Sequence, residues 1–116
     1  MHELSIAQSI IATVLQEMKT RQLKSIEKIG VEIGAMSGVF PDALQFGYNC
    51  IIKDTILENT ELVIEKIAVA GECSECGKTF QINDFVFVCP ACSSPAVIMT
   101  RGNELDIKYL EIAEKS

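Results

Sequence analysis

Residues 73–92 read CSECGKTFQINDFVFVCPAC, and this stretch decides how the chain is organised. It holds two Cys-x-x-Cys pairs, Cys73 with Cys76 and Cys89 with Cys92, separated by twelve residues. Two residues between thiolates let one tight turn present both sulfurs to one ion, and two such turns complete a tetrahedral four-sulfur shell that suits Zn²⁺. Because protein fills all four positions, the pattern indicates a structural zinc rather than a catalytic one.

Two other chemistries use cysteine pairs of this kind. A redox dithiol needs only one pair and therefore explains less of the pattern. An iron centre uses the same four-sulfur shell, and the sequence leaves that alternative open. Zinc ribbons often bind nucleic acid, but this segment offers only Lys78 and Arg101 against three acidic residues, and the whole chain carries a net charge of −6. That charge argues against nucleic acid as a partner.

The segments around the cysteines predict a small α+β domain. Apolar residues at steps of three and four predict a helix over 4–22, and Pro41 suits the start of a second helix over 41–53. The apolar stripe of the first helix is formed by Leu4, Ala7, Ile11, Val14, Leu15 and Met18. Alternating apolar residues predict strands over 25–34, 61–70 and 104–112, with a bulge near Glu65 and Lys66 in the second strand.

The cysteine segment therefore lies between two strands. The fold class is α+β: a three-stranded sheet covered by two helices, plus an inserted zinc-ribbon module. We expect residues 1–70 and 102–116 to form the α+β domain and residues 71–101 the zinc-binding domain. A module inserted between the second and third strands would leave those two strands free to pair with each other, and the strand that returns after it could pair in its own chain or in another. The sequence leaves monomer and homodimer open.

Hydropathy and the N-terminal sequence indicate the cellular compartment in which we expect the protein. No apolar run approaches the roughly 20 residues that span a bilayer, and the start MHELSIAQSII lacks the basic segment of a signal peptide. We expect a cytoplasmic, reduced protein with no membrane contact, in which cysteines are metal ligands or free thiols. Cys50, outside the two pairs, is expected to be a small buried apolar residue.

The first three residues, Met1, His2 and Glu3, carry a second metal-binding hypothesis. The amine of Met1, the backbone nitrogen of His2 and its imidazole can reach one ion, and such nitrogen donors suit square-planar Ni²⁺ or Cu²⁺. The fourth ligand is the Glu3 backbone nitrogen, the Glu3 carboxylate or a group from a partner. The alternative is a solvated histidine beside a glutamate that favours a helix N-terminus through its charge. Asp42, early in the second helix, is a further carboxylate that could approach this site.

Three segments together resemble the HypA/HybF family of hydrogenase nickel-incorporation proteins: the start MHELSIAQSII, the two cysteine pairs and the segment GNELDI at 102–107. The resemblance covers essentially the whole chain. It implies a nickel metallochaperone that binds Ni²⁺ through Met1, His2 and Glu3 and structural Zn²⁺ through Cys73, Cys76, Cys89 and Cys92. It implies delivery of nickel to the [NiFe]-hydrogenase large-subunit precursor, and in some bacteria to urease, with a HypB-type GTPase as partner.

The sequence shows no catalytic machinery. It contains no G-x-x-x-x-G-K-[ST] phosphate-binding loop and no second histidine, so nucleotide hydrolysis has to come from a partner. We therefore expect no enzyme activity. The alternatives to a nickel carrier are a zinc-ribbon interaction adaptor without metal cargo and a zinc- or redox-dependent enzyme, which would need an open zinc position that the four cysteines do not leave.

Overall fold

A computed structural model describes residues 2–113, which form two helices and six strands. The elements are α1 (His2–Arg21), β1 (Ile26–Gly34), α2 (Pro41–Ile51), β2 (Glu61–Ile67), β3 (Ala70–Cys73), β4 (Thr79–Gln81), β5 (Val97–Arg101) and β6 (Leu105–Ile112). The predicted α+β class is confirmed: two helices, a three-stranded mixed sheet, and a second small sheet that carries the four cysteines. None of the described helices is long and apolar enough to cross a membrane.

The order of the first sheet is β2-β1-β6, so the second and third predicted strands, although the insertion leaves them free to pair, are not neighbours. β1 lies between them, parallel to β2 and antiparallel to β6. Both edges of β1 are thereby hydrogen-bonded, and its side chains Ile29, Val31 and Ile33 are nearly inaccessible to solvent. α2 supplies the crossover that the parallel pair requires.

The bulge expected in β2 is also absent from the described strand. The register between β1 and β2 is continuous from Lys28–Glu61 to Gly34–Ile67. The irregularities occur instead between β1 and β6, where the register shifts between Gly30 and Val31. On the face of the sheet away from the helices, the ring of Tyr109 lies directly over Gly30, and a Cβ at that position would overlap it.

The core lies between the helices and one face of the first sheet. α1 contributes Ala7, Val14 and Met18, and α2 contributes Leu44 and Tyr48. The Tyr48 hydroxyl donates to the carbonyl of Thr60 (2.8 Å), and the Thr60 hydroxyl donates to the carbonyl of Ile26 (2.6 Å). These two bonds satisfy the buried polar groups where α2 passes into β2.

Two details of the helices differ from the sequence pattern. Leu4 and Leu15, on the predicted apolar stripe of α1, are 41% and 38% exposed, whereas Ala7, Ile11, Val14 and Met18 are buried. Cys50 is exposed rather than buried. It lies two residues after the buried Tyr48, and two residues turn the helix by about 200°, to the solvent side.

The second sheet, of order β4-β3-β5, is antiparallel throughout and is joined to the first by two short segments. The chain leaves β2 at Ile67 and enters β3 at Ala70, and it leaves β5 at Arg101 and enters β6 at Leu105. Gly102, with φ +124°, lies in the second segment, and a Cβ at this position would lie 3.0 Å from the Cα of Val69 in the first. Here the structure requires a residue without a side chain.

Candidate metal centres

Two turns of the same design hold the four cysteines. In the first, Gly77 has φ +80° and donates its N–H to the carbonyl of Cys73 (2.8 Å). In the second, Ser93 has φ +64° and donates its N–H to the carbonyl of Cys89 (2.9 Å). A left-handed residue four positions after the first cysteine turns the chain back on itself. The turn thereby brings both sulfurs of a pair to the same side.

The four sulfur atoms of Cys73, Cys76, Cys89 and Cys92 all lie within 4.8 Å of one another. The Cys73 and Cys92 sulfurs are 3.6 Å apart, as are the Cys76 and Cys89 sulfurs. Tetrahedral zinc with Zn–S bonds of about 2.3 Å requires sulfurs about 3.8 Å apart. The spacing therefore fits a metal ion such as Zn²⁺ at the centre of the cluster.

The electrostatics of the cluster point the same way. The Cys76 N–H, 3.4 Å from the Cys73 sulfur, lowers the pKa of the Cys73 thiol, and the Cys92 N–H lowers the pKa of the Cys89 thiol to about 6. The N–H groups of residues 78 and 94 lower the pKa of Cys76 and Cys92, but neighbouring sulfurs and burial outweigh them. The pKa of Cys76 is raised, and that of Cys92 is raised to about 12. At neutral pH, a cation among the sulfurs would let all four ionise together.

At the other end of the chain, Glu3 is buried and its carboxylate links the two helices. Its Oε2 accepts the backbone N–H of Phe40, the residue that precedes α2, at 3.1 Å. This N–H is the main reason why the pKa of Glu3 is lowered. α2 has no side-chain cap at Phe40, and the Glu3 carboxylate binds the N–H of this N-cap residue, as the glutamate of a capping box does.

His2 lies beside this link and faces solvent. Its Nδ1 is 3.9 Å from the same Glu3 Oε2, and its side chain is 61% exposed. Met1, the third residue of the proposed nickel site, lies outside the described residues. Asp42 is exposed in the first turn of α2 and makes no ion pair within residues 2–113. The structure thus brings His2 and Glu3 together and gives Glu3 a contact with α2 that the sequence did not predict.

The loop between β1 and α2 connects the region of His2 to the strands that enter and leave the cysteine module. Its Ala35 N–H donates to the carbonyl of Ile67 (2.9 Å), and its Met36 N–H donates to the carbonyl of Gly102 (2.7 Å). The loop ends at Phe40, whose N–H reaches Glu3. One continuous run of backbone therefore contacts both links to the cysteine module and the carboxylate beside His2.

Glu104, in the segment GNELDI, stabilises the turn between β5 and β6. Its carboxylate turns back to accept the N–H of Gly102 (2.9 Å) and lies 3.6 Å from the Arg101 side chain. Burial raises the pKa of Glu104, but backbone N–H donors and Arg101 outweigh it, and the net shift is downward. The side chain of Glu104 is only 19% exposed. Glu104 holds the left-handed backbone at Gly102 in place.

The fold and the site define a class: a small α+β protein with a second sheet whose four cysteines could hold a metal ion such as Zn²⁺. Comparison with protein families matches residues 1–112 to the family described as "Hydrogenase/urease nickel incorporation, metallochaperone, hypA". The chain belongs to the HypA family, which are nickel metallochaperones and not enzymes. The resemblance drawn from the sequence is confirmed.

Known relatives and solved structures are similar to this chain over nearly all of its length. The hydrogenase maturation factor HypA of Geobacter metallireducens is 38% identical over 112 residues, covering 97% of this chain and 99% of that protein. The HypA of Caldanaerobacter subterraneus subsp. tengcongensis is 31% identical over 113 residues, with 97% and 99% covered. A solution structure of HypA superposes with a TM-score of 0.73 at 30% identity, covering 97% of both chains. The Ni metallochaperone HypA from Helicobacter pylori gives 0.66 at 29% identity, covering 97% of this chain and 98% of the other.

Proposed function

We propose that this chain binds Ni²⁺ through Met1, His2 and Glu3 and delivers it to the large-subunit precursor of a [NiFe]-hydrogenase, and to urease where the cell makes one. The observation that carries the proposal is the arrangement of Glu3 and His2. The Glu3 carboxylate is buried against Phe40, while the imidazole of His2 is exposed at the same end of α1. A cargo site needs an accessible donor on a fixed support, and this end of the helix supplies both.

The helix itself favours this ligand set. The first four N–H groups of an α-helix have no acceptor within the helix, and α1 begins at His2. The backbone nitrogens of His2 and Glu3 are therefore not committed to helical hydrogen bonds and are available to lose a proton to nickel. With the Met1 amine and the His2 imidazole they make a planar set of four nitrogens. The Glu3 carboxylate stays with Phe40 and fixes the position of the site.

We further propose that the four cysteines hold a structural Zn²⁺ and that the two metals occupy separate domains. Residues 1–70 with 102–116 form the nickel-binding domain, and residues 71–101 form the zinc-binding domain. A HypB-type GTPase supplies the nucleotide hydrolysis that this chain lacks, and the protein works in the cytoplasm, where thiols stay reduced.

The test is a calorimetric titration of Ni²⁺ into untagged protein that keeps its native Met1, with zinc content measured separately. We expect His2→Ala to lose nickel binding and to keep its zinc. Gln8→Ala, exposed on the second turn of α1, is the matched control and should bind nickel as the wild type does. One residue added before Met1 should abolish binding, because it moves the amine away from the imidazole. If His2→Ala binds nickel as well as the wild type, the N-terminal site is wrong, and an adaptor without metal cargo becomes the better account.

A further inference from the structure

A cavity of about 420 Å³ opens beside the proposed nickel site. Its floor is apolar and buried, formed by Ile33 at the end of β1, Val39 in the following loop and Ile67 at the end of β2. Its rim carries the ring of Phe40, which is 71% exposed, and the side chain of Lys66. Lys66 is the only charged residue that lines it, and it makes no ion pair within residues 2–113.

Phe40, which lines the cavity, is the residue that links it to the proposed nickel site. The Phe40 N–H donates to Glu3 Oε2, and His2 Nδ1 lies 3.9 Å from the same oxygen. A protein that takes nickel from His2 has to bring its own ligands to that end of α1. Its surface then covers the neighbouring rim, and it shields the exposed ring of Phe40 from water.

We propose that this cavity docks the recipient of the nickel, the hydrogenase large-subunit precursor, through a segment that places an apolar side chain on the floor and a carboxylate against Lys66. The inference rests on the proposed function. Charge complementarity argues for a carboxylate in the docked segment. Although the chain has a net charge of −6, the charged residue at this cavity is Lys66, and the floor beneath it is uncharged. Exposed aromatic residues beside apolar clefts commonly become the anchors of protein interfaces.

Phe46 provides a matched control for Phe40. It is a phenylalanine of α2 with the same exposure, 72%, but it does not line the cavity. Lys53, an exposed lysine just after α2, is the matching control for Lys66. The Phe40→Ala substitution keeps the backbone N–H that holds Glu3. Each variant is first checked for native fold and zinc content.

The experiment measures docking of the purified large-subunit precursor by calorimetry on nickel-free protein, so that a change in nickel affinity cannot alter the result. We expect Phe40→Ala to weaken docking by roughly tenfold or more, and Lys66→Glu to weaken it in a way that fades at high salt. Phe46→Ala and Lys53→Glu should dock as the wild type does. A purified HypB-type GTPase is titrated in parallel.

Three results would overturn the inference: equal docking by all variants, no docking by the wild type, or a loss confined to the GTPase. None of them touches the proposed nickel site, which the separate nickel titration of His2→Ala decides. Conversely, loss of docking in Phe40→Ala together with a failed nickel titration would leave a docking surface without a cargo site. The two proposals can therefore fail independently.

Discussion

Removal of the metal should unfold the cysteine module and leave the rest of the protein folded. Apart from its cysteines, Ile82 is the only large apolar side chain buried within residues 71–101, all of which the structure describes. A module with so little buried apolar surface gains little from the hydrophobic effect. Binding of a structural Zn²⁺ by the four cysteines would be coupled to its folding and would contribute on the order of 10–16 kcal/mol.

The α+β domain, in contrast, has a hydrophobic core that does not depend on the metal. Its core unites buried residues from α1, β1, α2 and β2, none of which belongs to residues 71–101 of the described chain. We expect a chelator to collapse the amide NMR signals of Gly71, Cys73 and Ile82 to unfolded positions. The amides of Ile29 and Val31 should keep their dispersion and their protection from hydrogen exchange.

A pair of cysteine variants controls for loss of a thiol as such. Cys76→Ser should reproduce the effect of the chelator, since it removes one ligand from the cluster. Cys50→Ser removes a thiol that is also exposed but lies outside the cluster, and it should leave metal content and spectrum unchanged. The reasoning is refuted if residues 71–101 stay dispersed and protected without metal, or if the α+β domain unfolds along with them.

Two further predictions concern the helices. Glu3→Ala removes the acceptor for the Phe40 N–H, so the first turn of α2 should exchange its amide hydrogens faster, while Glu3→Gln, which keeps an acceptor oxygen, should fall between the two; equal exchange in all three would contradict the capping role of Glu3. Tyr48→Phe should lower the free energy of unfolding at neutral pH by about 0.5–1.5 kcal/mol through loss of the bond to Thr60. Burial raises the pKa of Tyr48 from 10 to about 12, so the unfolded chain ionises first and the wild type loses stability as pH rises from 10 to 12. Denaturant titrations at pH 8 and pH 11 should show a smaller loss of unfolding free energy in Tyr48→Phe than in the wild type. An identical loss in both proteins would refute the role of Tyr48.

Much of the fold could be predicted from the sequence because its signals are local. The stripe of α1, the alternation of β1 and the proline that begins α2 each specify an element within a few residues. The cysteine pairs work in the same way, since each turn is fixed by its own spacing and by the left-handed residue that follows. The family resemblance then joined these local signals to a function.

The errors arose where distant parts of the chain decide the outcome. β1 lies between β2 and β6 because it pairs along both of its edges. The alternation of apolar residues along a single strand does not reveal which strand will do so. The contact between Glu3 and Phe40 joins residues 37 positions apart, and no short motif marks it. Cys50 was misplaced because cysteine is buried in most proteins, although its angle on the helix relative to Tyr48 already indicated the solvent side.

The two segments that lead into and out of the cysteine module start from the same end of the first sheet. β2 ends at Ile67, opposite Gly34, and β6 begins at Leu105, opposite Ile33. With β1 between them, their ends lie about 10 Å apart, a gap that three or four extended residues can bridge. The module can therefore be exchanged as a unit. A short linker in place of residues 68–104 should leave β2, β1 and β6 paired as they are. A different metal-binding finger could be inserted at the same two points without changing this strand order.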